Sequence, residues 1–169
     1  MDFSFCSSFL IVVLLHGMQL EQSAIRNVLL IDDDVDDFLI FEAAVKEVDP
    51  TIRVMHIAAL ADVPQDEHPV IPDMLFLDIN MPDQDGFEWL KCIREKGYTF
   101  PIVMYSTASN PSYVAKAYEE GANVYFPKPS SYKNLHQSLT RLLQMNWEEP
   151  QQVRENFCRD GKYRVFTSV

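Results

Sequence analysis

Two short runs of the sequence end in carboxylates that could share one site. Met74-Leu75-Phe76-Leu77 is apolar and closes on Asp78, and a polar, turn-forming stretch from Asn80 to Gly86 follows. Upstream, Val28-Leu29-Leu30-Ile31 ends in Asp32-Asp33-Asp34. Apolar runs of this length read as buried strands. Carboxylates at the carboxyl ends of two such strands would meet at the mouth of an α/β sheet. Like charges gathered there require a cation, or one of them must take up a proton. Mg2+ beside a reactive aspartate is the economical chemistry: a carboxylate can attack phosphorus and form an acyl phosphate, and the oxygen-liganded ion neutralises phosphoryl charge. Ser106 and Lys128 each follow a further apolar run. They would supply a hydroxyl donor and a point positive charge at the same edge.

The elements that must position these groups alternate from residue 27 onward. Strands are expected at Val28–Ile31, Ile52–Ile57, Met74–Asp78, Ile102–Tyr105 and Asn123–Phe126. Val35, Phe38, Phe41, Val45 and Val48 recur at steps of three and four, so they predict one apolar helix face capped by Asp34. Asp85 and Glu88 open a second strong helix, with Gly97 beyond its end. Asn110-Pro111 opens another that stops at Gly121, and Leu135, Leu139, Leu142 and Leu143 mark the last. Residues 58–68 predict only a short, weak helix or loop. Strands alternating with helices imply a parallel sheet covered on both faces. The expected fold is a doubly wound, five-stranded (βα)5 domain with the flavodoxin-like strand order 2-1-3-4-5. That order puts strands one and three, which end in the acids, at the switch point where such sheets bind ligands.

Composition narrows the function. The chain has 169 residues, 47% hydrophobic and 23% charged, which suits one ordinary domain. A net charge of -11 argues against binding nucleic acid by neutralising phosphates. Phe9–Leu15 is apolar but too short to span a membrane, which needs about twenty residues. No Lys or Arg precedes Arg26, so a secretory signal is not supported and a cytoplasmic protein is expected. Cys6, Cys92 and Cys158 share no metal-like spacing and are expected as free thiols. The expected organisation is an extension at 1–26, a domain at 27–147 and a tail at 148–169 with no output domain. In the tail, Phe157, Tyr163 and Phe166 could dock on the domain, but a mobile end is the favoured expectation.

Four motifs then carry a family resemblance. Asp78-Ile-Asn-Met-Pro-Asp-Gln-Asp-Gly resembles the phosphoacceptor segment of response-regulator receiver domains. Val28-Leu-Leu-Ile-Asp-Asp-Asp resembles their acidic pair, Pro101-Ile-Val-Met-Tyr-Ser-Thr their strand-four hydroxyl motif, and Gly121-Ala-Asn-Val-Tyr-Phe-Pro-Lys-Pro their lysine–proline motif. The resemblance implies a single-domain switch of a two-component phosphorelay. Asp78 would take a phosphoryl group from a histidine kinase or histidine phosphotransfer protein. Asp33, Asp78 and the backbone carbonyl of Asn80 would ligate Mg2+, with Asp32 acting through water. Lys128 and Ser106 would bond the phosphoryl group, the ring of Tyr125 would follow inward, and Lys128–Pro129 would be a cis bond. A downstream protein would read the surface of about residues 111–142: the helix after strand four, strand five and the final helix. The motif style also resembles single-domain receivers paired with phytochrome-type kinases. Thr107, Ser130 and Pro127 depart from the usual pattern without removing a reactive group; Pro127, with no N–H, requires an edge strand.

Two other classes compete. An aspartate-nucleophile phosphatase of the haloacid dehalogenase type wants Asp-x-Asp, and Asn80 stands where its second acid would be. A receiver-like scaffold would have lost an acid, and none is lost. Met18 is the expected natural start. Amino-terminal mass spectrometry of the native protein should find it there, and peptides from residues 1–17 would refute that start.

Overall fold

The computed structural model describes residues 25–58, 71–82, 85–159 and 161–167; the extension before residue 25 and most of the weak 58–68 segment lie outside them. A five-stranded parallel sheet has the order β2-β1-β3-β4-β5. Its strands are β1 Asn27–Ile31, β2 Arg53–Ile57, β3 Met74–Leu77, β4 Ile102–Ser106 and β5 Val124–Pro127. The helices are α1 Val35–Val48, α2 Gly86–Glu95, α3 Pro111–Glu119, α4 Tyr132–Leu143 and α5 Pro150–Phe157, and a short hairpin, β6 Cys158–Arg159 with β7 Lys162–Tyr163, follows. The expected doubly wound order is the observed one, and Pro127 lies on an edge strand as required.

Alternation along each strand divides the core into two layers. Val28, Leu30, Phe76, Val103 and Phe126 pack with Phe41 and Val45 of α1 and Leu139 of α4. Leu29, Ile31, Leu77, Met104 and Tyr125 pack with Leu90 of α2 and Tyr118 of α3. Both faces are therefore dry, and β1, β3 and β4 read as continuous apolar runs.

Local chemistry starts the helices where the sequence indicates. The Asp34 carboxylate accepts from the N–H groups of Asp36 and Asp37 at 2.8 and 3.2 Å. Asp85 accepts from Phe87 N at 2.9 Å, Asn110 from Tyr113 N at 2.9 Å, and Ser131 from Asn134 N at 3.3 Å. Gly97 (φ 84°) and Gly121 (φ 101°) turn the chain in the left-handed region that favours glycine. The α1 face differs from its periodicity: Phe41, Ala44 and Val45 are buried, while Val35 is 54% exposed.

Two expectations are corrected. Every peptide bond among the described residues is trans, including Lys128–Pro129. The trans form is the lower-energy one by about 0.5–1 kcal/mol, and from it the lysine already reaches the acids. Cys158 is a free thiol, as expected. The tail is not a loose end: Val153 and Phe166 are buried in the core.

One buried side chain joins several of these parts. Asn123 is fully buried; its Oδ1 accepts from Ile102 N at 2.9 Å and from Arg94 at 2.8 Å, and its Nδ2 donates to Pro150 O at 2.9 Å. Arg94 also donates to the carbonyls of Gly121, Tyr98 and Phe100. Asn123→Leu leaves buried donors and an acceptor without partners. It should cost about 2–4 kcal/mol in urea unfolding, and a loss below 0.5 kcal/mol would contradict this account.

Candidate functional site

Both acid-bearing strands deliver their carboxylates to the carboxyl edge. Asp32 N donates to Ile57 O at 3.1 Å and Asp78 N to Ile31 O at 2.9 Å, so each aspartate continues its strand's ladder by one residue. Ligand oxygens of Asp32, Asp33 and Asp78 lie within 4.8 Å of one another. Asp32 and Asp78 are buried, whereas Asp33 faces solvent at the mouth. The Asp32 carboxylate accepts from Asp34 N at 3.0 Å, and its carbonyl oxygen lies 2.8 Å from His56 Nε2, which donates to it. Asp78 Oδ1 accepts from Ile79 N at 2.6 Å and Asn80 N at 3.3 Å.

Lys128 closes the cluster. Its Nζ donates to Asp32 at 2.8 Å, Asp37 at 2.8 Å and Asp78 at 3.0 Å, which uses all three ammonium protons. Burial works against the charged lysine, but its bonds to Asp32 and Asp37 and the charges of Asp32 and Asp78 outweigh that and hold its pKa above the ordinary value. For Asp32 the balance tips the other way. Burial raises its pKa, and the bond and charge of Lys128 offset only part of the rise.

Ser106 is fully buried at the end of β4. Its Oγ accepts long contacts of 3.4 Å from Asn80 Nδ2 and Ala108 N. The Tyr125 ring is also fully buried, and its hydroxyl donates to the Ala108 carbonyl. Burial first, and the charge of Asp78 second, push that phenol up to about 12, so it remains a neutral donor. All the residues singled out in the sequence (Asp32, Asp33, Asp78, Asn80, Ser106, Lys128) thus lie at one edge, with Tyr125 one layer beneath.

Two contributors were not found from sequence. Asp37 reads as a helix-terminus acid, yet its carboxylate turns inward to Lys128. Gly86 reads as the start of a helix. In the structure a Cβ at that position would stand 2.0 Å from the Asp78 carbonyl oxygen and 2.9 Å from the Ile79 Cα. Backbone cannot yield as a side-chain tip can, so only glycine lets α2 begin against the Asp78 strand end. No sequence signal separated Asp37 from other first-turn acids, or Gly86 from an ordinary helix start.

The three acids and the asparagine carbonyl are hard oxygen donors of the kind Mg2+ takes. Four carboxylates (Asp32, Asp33, Asp37 and Asp78) face the single ammonium of Lys128, so the cluster stays negative and its oxygen donors fit a divalent ion. Fold and pocket together define a flavodoxin-like α/β domain with an acidic pocket at its switch point. Residues 28–140 match the response regulator receiver domain, and the chain belongs to that family. Receiver domains are the phosphorylation-controlled signalling modules of two-component systems.

Similarity extends to larger proteins and to solved structures. DNA-binding transcriptional regulator NtrC of Proteus hauseri is 35% identical over 103 residues, 61% of this chain and 21% of that protein. A protein-glutamate methylesterase/protein-glutamine glutaminase of Nocardioides sp. is 34% identical over 118 residues, 64% of this chain and 31% of that one. The chain therefore spans 21% and 31% of the length of these curated relatives. The phosphorylated cyanobacterial phytochrome response regulator RcpA superposes with a TM-score of 0.64 at 22% identity, over 74% of this chain and 96% of that one, and shows the fold. The Mn2+-bound form of response regulator Rcp1 gives a TM-score of 0.59 at 25% identity, over 73% of this chain and 96% of that one.

Replacing the cation tests the electrostatics of the pocket. Lys128→Met leaves buried carboxylates unpaired and should cost about 3–5 kcal/mol at pH 7 without divalent ions. Without the lysine the pKa of Asp32, already raised by burial, rises further. The folded state then binds more protons than the unfolded state from about pH 4 up to that raised pKa. Stability should recover as pH falls through this window. Urea unfolding at pH 7 and pH 5 reads the effect, and an equal loss at both pH values would contradict it.

Proposed function

We propose that the chain is the phosphorylation switch of a two-component phosphorelay, accepting a phosphoryl group on Asp78 from a histidine kinase or histidine phosphotransfer protein. The observation that carries this reading is the lysine held simultaneously by Asp32, Asp37 and Asp78 at the sheet's switch point. A carboxylate oxygen of Asp78 attacks phosphorus as the phosphorus–nitrogen bond to the donor imidazole breaks, and the imidazole keeps the electron pair. Mg2+ held by Asp33, Asp78 and the Asn80 carbonyl, with Asp32 acting through water, would supply positive charge to the phosphoryl oxygens. Lys128 supplies the second positive centre. All its protons are engaged, so bonding a phosphoryl oxygen requires it to release an acceptor. Asp37, whose side chain is 38% exposed against 1% for Asp32 and 9% for Asp78, is the one water can most readily take over.

Ser106 is then the hydroxyl that bonds the phosphoryl group, and Tyr125 the ring that packs inward behind it. The added charge and acceptor oxygens bias this two-state element, and a downstream protein reads α3, β5 and α4. The donor has a surface to meet beside the pocket: Val35, Leu39 and Ile40 of α1 are 54%, 54% and 48% exposed. Among the described residues no helix is long and apolar enough to cross a membrane; the net charge of -11 favours a protein partner over a nucleic-acid one. The rival phosphatase reading lacks an acid at Asn80, and the scaffold reading lacks a lost acid.

Beryllium fluoride with Mg2+ separates the three. We expect saturable binding by fluorine NMR that Asp78→Asn abolishes, and phosphotransfer from a cognate kinase to wild-type protein alone. Steady turnover of small phosphate esters would favour the phosphatase, and absence of beryllium fluoride binding would favour the scaffold.

A further inference from the structure

The chain folds back on β5 after α4. Trp147 is buried and donates to Leu142 O at 2.8 Å, and Pro150, at the start of α5, accepts from buried Asn123 at 2.9 Å. Arg154 then donates to Tyr118 O at 2.6 Å. Beyond the β6–β7 hairpin, residues 164–167 reach the outer side of β5, where Phe166 N donates to Tyr125 O at 2.6 Å. Tyr125 N donates to the Tyr118 hydroxyl at 2.9 Å, and that hydroxyl donates to Arg164 O at 2.6 Å. Both backbone groups of Tyr125 point out of the free sheet edge, because those of Val124 and Phe126 are the ones directed at β4. An edge strand with unpaired N–H and C=O groups is a template for an added segment, and here the added segment is the chain's own.

Aromatic anchors straddle that edge. Tyr163 stacks on Tyr118 at 5.7 Å with an interplanar angle of 9°, in the layer that holds Tyr125. Phe166 packs edge-on against Phe126 at 5.6 Å and 85°, in the opposite layer, and is 6% exposed. The same strand residue therefore carries the tail on its backbone and a buried ring on its side chain. That ring bonds Ala108 O, and Ala108 N contacts Ser106 Oγ at 3.4 Å.

We infer that the free edge of β5, with α3 beside it, is a docking surface for an extended segment with aromatic anchors, that residues 162–167 of the same chain occupy it in cis, and that its occupancy is coupled to the acid pocket through Tyr125. The coupling rests on the phosphoacceptor reading of Asp78; the docking does not. A downstream protein that reads this edge must either displace residues 162–167 or recognise them as part of the surface. The tail is docked while the Tyr125 ring is inside, so tail docking and a filled pocket favour the same state. Linkage makes the effect reciprocal: losing the tail contact weakens binding at Asp78.

Hydrogen exchange on the full-length chain, followed by mass spectrometry, tests the docking. Amides of residues 162–167 and of Tyr125 should be protected, and should exchange about 10-fold faster in Phe166→Ala, while β1 and β3 stay unchanged. Tyr118→Phe, which removes only the bridging hydroxyl, should act in the same direction. Fast exchange at residues 162–167 of the wild type overturns the docking, and protection that grows with protein concentration overturns occupancy in cis. Titration with beryllium fluoride and Mg2+ tests the coupling, with an expected affinity loss of about 5-fold in Phe166→Ala. Equal affinities overturn the coupling alone. Failure of the wild type to bind at all overturns the phosphoacceptor reading, and the coupling with it, but leaves the docking intact.

Discussion

One ammonium group organises the carboxyl edge of this domain. Lys128 follows β5, and its three partners come from the end of β1, the first turn of α1 and the end of β3. Without it, buried carboxylates would face one another in a region that water reaches only from one side. With it, the cluster remains negative and still open at Asp33. Charge enough to attract a divalent ion, and a lysine already in place to share the load, are two consequences of the same arrangement. The elevated pKa of the lysine keeps it cationic throughout.

The rest of the fold holds these partners in register. Parallel pairing sets Ile31 beside Leu77, so Asp32 and Asp78 leave the sheet at the same level. Glycine at position 86 lets α2 start against the Asp78 carbonyl. The two dry layers keep the strands from sliding, since a shift of one residue would exchange every buried side chain between faces. On the far edge, Tyr118 and Tyr125 tie β5 to the returning tail, so the strand that carries the lysine is supported on both sides.

Much of this was legible in sequence because it rests on local rules. Apolar runs of four or five residues gave the strands, turn and cap residues gave the helix limits, and Asp, Ser and Lys after strand ends marked the edge. Other features depend on angles that no local rule sets. Asp37 was indistinguishable from a helix-terminus acid, because whether a first-turn carboxylate faces solvent or the pocket depends on how α1 leans on the sheet. Val35 kept the helical period and is nevertheless exposed. The tail pattern of Phe157, Tyr163 and Phe166 favoured a loose end over a docked one, since three aromatics carry no address.

The sequence by itself determined the strand order, the edge that bears the chemistry and the membership of Asp32, Asp33, Asp78, Ser106 and Lys128 in one site. It could do so because a right-handed parallel sheet admits few topologies and sends every strand's carboxyl end to the same side. Only the tertiary structure decided how the ammonium is shared, that Lys128–Pro129 is trans, and that residues 164–167 lie along β5. These are contacts between segments far apart in sequence, and their energy depends on distance and direction, which residue order does not encode locally.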